Sequence, residues 1–265
     1  MGEIYPELLE RQLAELPYFR AFLRAVEARY YQNFTIEGPV LDLGAGDGHF
    51  AARTFPQSFE IGLDPSFSSL REAQKYAFYG LVINGDGHRL PFPSESFQTI
   101  ISNSVLEHIR DVDAVLRELE RVLANGGRLI ACMPNSNFTQ NLSIARLLEK
   151  ISLPILAKSY RRLFNKISRH YHPDKAEHWR QRLETAGFKV VKQWNYFPPQ
   201  SLRILEWGHF LGLPNWLNKK VFGRWVLRTN SWYVRKLFHW LYPYYAQKQE
   251  AEDGAYTFFV AEKKI

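Results

Sequence analysis

Val40-Leu41-Asp42-Leu43-Gly44-Ala45-Gly46-Asp47-Gly48-His49-Phe50 reads as a short buried strand, Val40 to Leu43, a glycine-rich turn and the start of a helix. Glycine accepts positive φ and has no Cβ, so backbone can turn sharply there and lie against a ligand. A helix that follows such a turn presents free N–H groups to that ligand. An ordinary strand-to-helix turn does not need three glycines at alternate positions. The dinucleotide fingerprint G-x-G-x-x-G would place its third glycine at position 49, where this chain has His49. The run is G-x-G-x-G instead.

Working outward, Phe59 to Leu63 reads as a second strand ending at Asp64, twenty residues after Gly44. An acid at that distance and position can accept both ribose hydroxyls of a nucleoside. Asp64-Pro65-Ser66 can also simply start the next helix. Ser68 to Phe78 reads as that helix, Leu81 to Asn84 as strand three and Ser96 to Ser102 as strand four. Val112, Val115, Leu116, Leu119, Val122 and Leu123 share one face of an amphipathic helix that Asn125-Gly126-Gly127 stops. Strand five follows, Arg128 to Met133. A helix over 176–186 with Gly187 as its stop precedes strand six, Phe188 to Phe197, and Ala255 to Glu262 is strand seven. Strands separated by helices imply an α/β fold with a parallel sheet and right-handed crossovers. Residues 1–33 read as helix, with Pro17 splitting the segment.

With Asp42 two residues before the first glycine, the opening segment resembles motif I of the class I S-adenosylmethionine (SAM)-dependent methyltransferases, [DE]-x-G-x-G-x-G. Gly85-Asp86-Gly87-His88-Arg89-Leu90-Pro91-Phe92 resembles that family's D-A-x-x-L-P-F, with Gly87 in place of alanine. Phe97 to His108 resembles F-D-x-V-x-x-x-x-x-L-x-H of its small-molecule, quinone- and sterol-type members, with Gln98 where Asp is usual. Leu116 to Leu129 matches L-x-E-x-x-R-V-L-x-x-G-G-x-L. The resemblance covers 38–135 well, and 176–197 and 255–262 loosely. It implies a Rossmann-like seven-stranded sheet of order 3-2-1-4-5-7-6, with strand seven antiparallel. It also implies SAM as cofactor. Asp42, Gly44, Ala45, Gly46, Gly48, Asp64, Pro65, Asp86 and Gly87 would bind it, with Asp64 accepting the ribose hydroxyls and Asp86 accepting from the adenine amino group. Ser102 and Asn103, at the end of strand four, would lie beside the methionine moiety. The Asn-Pro-Pro-Tyr signature of nucleobase and glutamine methylation is absent.

Composition adds a second theme. The chain has 265 residues and suits one α/β domain with additions. A single cysteine, Cys132, excludes an internal disulfide and a Cys₄ zinc site. No signal pattern opens the sequence and no apolar run approaches the ~18 residues a bilayer span needs. A soluble or peripheral cytoplasmic protein is expected. Of the net charge of +7, the basic part belongs to 136–245, with 19 Lys+Arg against 5 Asp+Glu, while 1–135 holds 12 against 18. The reading divides the chain into N-terminal helices (1–37), a SAM-binding core (38–135) and two basic, aromatic insertions (136–175 and 198–254). Both insertions leave the carboxyl edge of the sheet, where open α/β sheets bind ligands, so they are expected to cap the substrate site.

Five of the seven tryptophans lie between Trp207 and Trp240, interleaved with Lys219, Lys220, Arg224, Arg228, Arg235 and Lys236. Ser231 is expected to cap a helix with Val234, Leu237, Phe238 and Leu241 on one face, ended by Pro243. Peripheral membrane contact through 198–245, single-stranded nucleic acid and a plain helical cap all fit this pattern. The sequence reads best as methyl transfer to a small-molecule or lipid-like acceptor, with nucleic acid disfavoured. The alternatives are a non-catalytic SAM-binding membrane module and an RNA methyltransferase. A base for an oxygen acceptor would come from His108, His172, Asp174 or His178. His170-Tyr171-His172 with Asp174 suggests a metal only weakly, since histidines two apart in a basic loop are a poor signal, and no metal site is expected.

Overall fold

The computed structural model describes residues 4–211 and 231–264. Seven strands form one sheet of order β3-β2-β1-β4-β5-β7-β6. They are β1 (Val40–Leu43), β2 (Phe59–Asp64), β3 (Tyr79–Asn84), β4 (Phe97–Asn103), β5 (Leu123–Pro134), β6 (Phe188–Tyr196) and β7 (Tyr256–Lys263). β7 runs antiparallel to both its neighbours, and the other pairings are parallel. Strand order and direction are those implied by the resemblance.

Successive residues of the central strands face opposite sides, so each side of the sheet has its own core. Val40, Ile101, Ile130, Cys132 and Phe258 face one cluster. It is completed by α1 (Pro6–Glu15), α2 (Tyr18–Tyr31), α3 (His49–Thr54) and the helices of the two insertions. Leu41, Leu43, Ile100, Leu129 and Phe259 face the other cluster, closed by α5 (Val112–Val122) and α9 (Ala176–Thr185). α4 (Phe67–Ala73) packs on β2 and β3.

Pro17 divides the N-terminal segment as expected, since it precedes the first turn of α2. In the first insertion α6 (Asn137–Gln140) leads to a hairpin of α7 (Ser143–Lys150) and α8 (Pro154–Ser168). The second holds α10 (Pro199–Leu211) and α11 (Ser231–Ala246), both packed against α2. Val234 and Leu241 are buried, as the helical face required, and Leu237 and Phe238 pack beside them. Pro243 does not end α11, which continues to Ala246 with Pro243 inside it. The last turn is held from outside: the Arg29 guanidinium donates to the Tyr245 carbonyl at 2.8 Å, and the Tyr245 hydroxyl donates to the Tyr5 carbonyl at 2.9 Å. Trp216, Lys219, Lys220, Phe222, Arg224, Trp225 and Arg228 lie outside the described residues. No helix among the described residues is long and apolar enough to cross a membrane.

Candidate active site

The carboxyl ends of β1, β2 and β4 and the loop after β3 meet around two adjoining cavities, both lined by Gly44. Gly44, Gly46 and Gly48 all have positive φ. A Cβ on Gly44 would fall 2.3 Å from a Val105 methyl carbon, so the turn passes the loop after β4 with no room to spare. Gly48 serves packing: a Cβ there would meet the Ala73 backbone at 2.9 Å, and Gly48 lines neither cavity.

The larger cavity, about 840 Å³, is lined by Asp64, Pro65, Gly85 and Asp86 at one end. Asp64 stands between two roles. Its Oδ2 accepts the Gly46 N–H at 2.9 Å and its Oδ1 the Ser66 N–H at 2.8 Å. Ser66 caps α4, its hydroxyl accepting from Ser69 N, so Asp64 itself is not the cap. Each Asp64 oxygen can accept a further hydrogen bond, and Asp64 lines the cavity. Asp86 is exposed, and the His88 N–H bonded to it at 3.0 Å pulls its carboxyl below the usual range. Gly87, at positive φ, lies against Leu43 and lines neither cavity. The Leu-Pro-Phe segment is pinned by α5. Glu118 accepts the Leu90 N–H, and Arg121 donates to the Leu90 and Phe92 carbonyls.

The smaller cavity, about 550 Å³, brings Asp42, Ala45, Gly46 and Asn103 together with Arg20 and Arg24 of α2. Burial raises the Asp42 carboxyl to about 6, although the Tyr79 hydroxyl donates to it at 2.6 Å. Glu27 lies fully buried beneath the cavity. It accepts from Arg24 at 2.6 Å, Asn103 at 2.8 Å, and Ser104 and Tyr196 at 3.1 Å each. Four donors on one carboxylate are what a buried charge requires. Ser102 is different: it is fully buried, its hydroxyl has no protein partner, and it lines neither cavity. Strand pleating explains this, since its neighbours Asn103 and Ile101 face the other way.

The far wall of the larger cavity comes from His108 and Ile109, and from Asn165, Lys166, Arg169, His170 and Tyr171 at the end of α8. His108 Nδ1 donates to the Arg169 carbonyl, 3.0 Å away. Burial lowers the basicity of both imidazoles, that of His170 to about 3. Glu107, beside them, is 1% exposed, and burial raises its carboxyl to about 8. The other three candidate bases lie elsewhere. His172 Nε2 is 2.9 Å from the Ile109 carbonyl and 3.1 Å from that of Arg110. Asp174 contacts Arg182, and His178 is an exposed residue of α9. None of the three lines either cavity.

The described residues of the second insertion also stay out of both cavities; α10 and α11 cover α2 instead. Arg20, Arg24, Glu27 and Tyr79 went unread in the sequence. The charged residues at 20, 24 and 27 do recur at helical spacing in an apolar helix, which is the signal that could have found them.

A methyltransferase domain family model matches residues 41–131. A ubiquinone/menaquinone biosynthesis C-methyltransferase of Desulfotalea psychrophila is 35% identical over 111 residues, which is 40% of this chain and 44% of that protein. The chain therefore spans less than half of that relative's length. A protein of the same description from Pasteurella multocida is 30% identical over 192 residues, covering 63% of this chain and 70% of the relative. Among solved structures, a SAM-dependent methyltransferase of Thermotoga maritima, described as a possible histamine N-methyltransferase, aligns over 93% of this chain and 91% of its own. Its TM-score of 0.56 at 20% identity is a likeness of fold.

Proposed function

The chain belongs to the class I SAM-dependent methyltransferases, and on that premise we propose that it moves the SAM methyl group to a small, lipid-like acceptor. One observation carries the reading. The glycine turn lies between a cavity suited to a nucleoside and a cavity suited to an amino acid, and the nucleoside cavity extends to a wall of imidazoles. In this reading Asp64 accepts the ribose hydroxyls and Asp86 faces the adenine amino group. Arg20 and Arg24 receive the methionine carboxylate, and Asp42 and Asn103 border its amino group. His108 faces the acceptor. The reaction is an in-line displacement: the acceptor atom forms a bond to the methyl carbon, the C–S bond breaks, and its electrons neutralise the sulfonium. The protein's part is alignment and exclusion of water.

A lipid-like acceptor is supported by the roof. Leu147, Ile151, Ile155, Leu156, Leu163 and Ile167 of the α7–α8 hairpin are between 49% and 80% exposed. On α8, positions 155, 156, 163 and 167 fall on one helical stripe. Residues 141–169 carry seven Lys+Arg and a single acid, Glu149, which is bonded to Arg161. An apolar stripe flanked by cations suits the surface of an anionic bilayer. The end of this same hairpin walls the larger cavity, so an acceptor dissolved in lipid would have a short path to it. The relatives named above act, by their descriptions, in quinone biosynthesis, which accords with an apolar acceptor.

The test is transfer of labelled methyl from SAM into a cell extract, followed by solvent partition. Label is expected in the organic phase. Label confined to the aqueous phase, whether or not nuclease removes it, would overturn the lipid-like acceptor. No label at all, with SAM bound, would favour a non-catalytic SAM-binding module.

A further inference from the structure

The wall of the larger cavity holds a second constellation. Glu107, His108 and His170 each offer a ligand atom, and the three atoms lie within 4.8 Å of one another. Three features distinguish the group from a chance cluster. First, Glu107 is 1% exposed, and its Oε2 is sealed from solvent without a protein partner. Second, His170 Nδ1 is sealed and unpartnered in the same way. An unmet buried polar atom costs about 1–3 kcal/mol, so two in one group of residues ask for an occupant. Third, His108 contacts the Arg169 carbonyl through Nδ1. Donation of Nδ1–H there leaves the Nε2 lone pair free, 3.7 Å from Glu107 Oε1. An imidazole whose far nitrogen donates to a carbonyl is how metal-bound histidines are usually oriented.

We infer that Glu107, His108 and His170 form a binding site for one divalent cation of the Zn²⁺, Co²⁺ or Fe²⁺ class. Two neutral imidazole nitrogens and one carboxylate are the donor set those ions favour, and Mg²⁺ or Ca²⁺ would want more oxygens. His108 and His170 line the cavity, so the ion's remaining positions open onto it. There they suit an acceptor oxygen. This role rests on the methyl transfer proposed above: the cation lowers the pKa of a bound hydroxyl, its proton passes to water, and the oxygen takes the methyl while sulfur keeps the C–S pair. The sequence reading weighed His170 with His172, two residues apart, and expected no metal. The fold turns His172 onto backbone carbonyls and instead brings His170 to the distant Glu107-His108 pair.

The test reads the ion directly. Chelator-treated full-length protein is titrated with Co²⁺, and its visible absorption and stoichiometry are recorded, with SAM affinity measured separately by calorimetry. One equivalent per chain with a nitrogen-containing tetrahedral or five-coordinate spectrum is expected. His170→Ala and Glu107→Gln should each weaken it at least about tenfold. His172→Ala should leave it unchanged. SAM affinity should survive in His170→Ala, which separates loss of the ion from loss of the fold. Absence of stoichiometric Co²⁺, or equal binding by wild type and His170→Ala, would overturn the site even if methyl transfer is confirmed.

Discussion

Asp42 shows what a ligand site costs a fold. Its carboxyl is buried with a neighbouring negative charge, Asp64, and burial raises it from 3.8 to about 6. A raised carboxyl binds its proton more tightly folded than unfolded, so its contribution to stability is fully present below about pH 4 and is lost as pH rises through 6. Two pH units correspond to about 3 kcal/mol lost at neutral pH. Asp42→Asn keeps an acceptor for the Tyr79 hydroxyl and removes the charge. The unliganded variant is expected to be more stable than wild type at pH 7.5, by about 2 kcal/mol after allowing for a weaker hydrogen bond. The gain should shrink below pH 6 and vanish near pH 4. Urea unfolding at those pH values checks it, and a less stable variant at pH 7.5 would contradict the account of Asp42.

The elements divide by how local their cause is. β1 with its glycine turn was legible because a buried strand and three glycines are local events. α5 was legible because its apolar face repeats at helical spacing, but it ends at Val122 on an extended Leu123, and the Asn125-Gly126-Gly127 expected to stop it lies inside β5. Pro243 was read as a terminator because proline removes a backbone donor, yet α11 passes through it. What overrides it, the clasp of Arg29 and Tyr5 on Tyr245, joins residues from opposite ends of the chain. α8 was read for its cations, and its bare apolar stripe became visible only once the fold showed which face α7, α10 and the core leave uncovered. We therefore predict that Ile155→Glu with Leu163→Glu leaves the fold intact, since both positions are exposed. Binding to anionic vesicles should fall at least tenfold, by loss of roughly 1.5–3 kcal/mol per apolar side chain. Co-sedimentation measures it. Equal sedimentation of wild type and variant would remove α8 from the membrane contact.

At the scale of the molecule, the alternation of strands and helices gave a parallel sheet with the glycine turn at its edge, while the strand order and the reversed seventh strand were legible only through the family resemblance of the motifs. The two insertions were expected to do the same work. Their described parts do not: the end of α8 walls the larger cavity, while α10 and α11 cover α2, whose Arg20 and Arg24 line the smaller one. Burial decides the difference, and a single sequence shows composition more readily than burial. The candidate bases at 172, 174 and 178 failed to reach the cavities for a related reason. Proximity along the chain to the insertion did not fix which side chains turn inward.

The central claim is that SAM sits across the Gly44 turn with its ribose on Asp64. Calorimetric titration of the purified protein with SAM tests it most directly, beside Asp64→Ala. One site per chain is expected, with the variant weaker by about tenfold or more, the effect of losing charge-assisted hydrogen bonds worth about 1.5–3 kcal/mol. No SAM binding by the wild type, or equal affinity in Asp64→Ala, would contradict it.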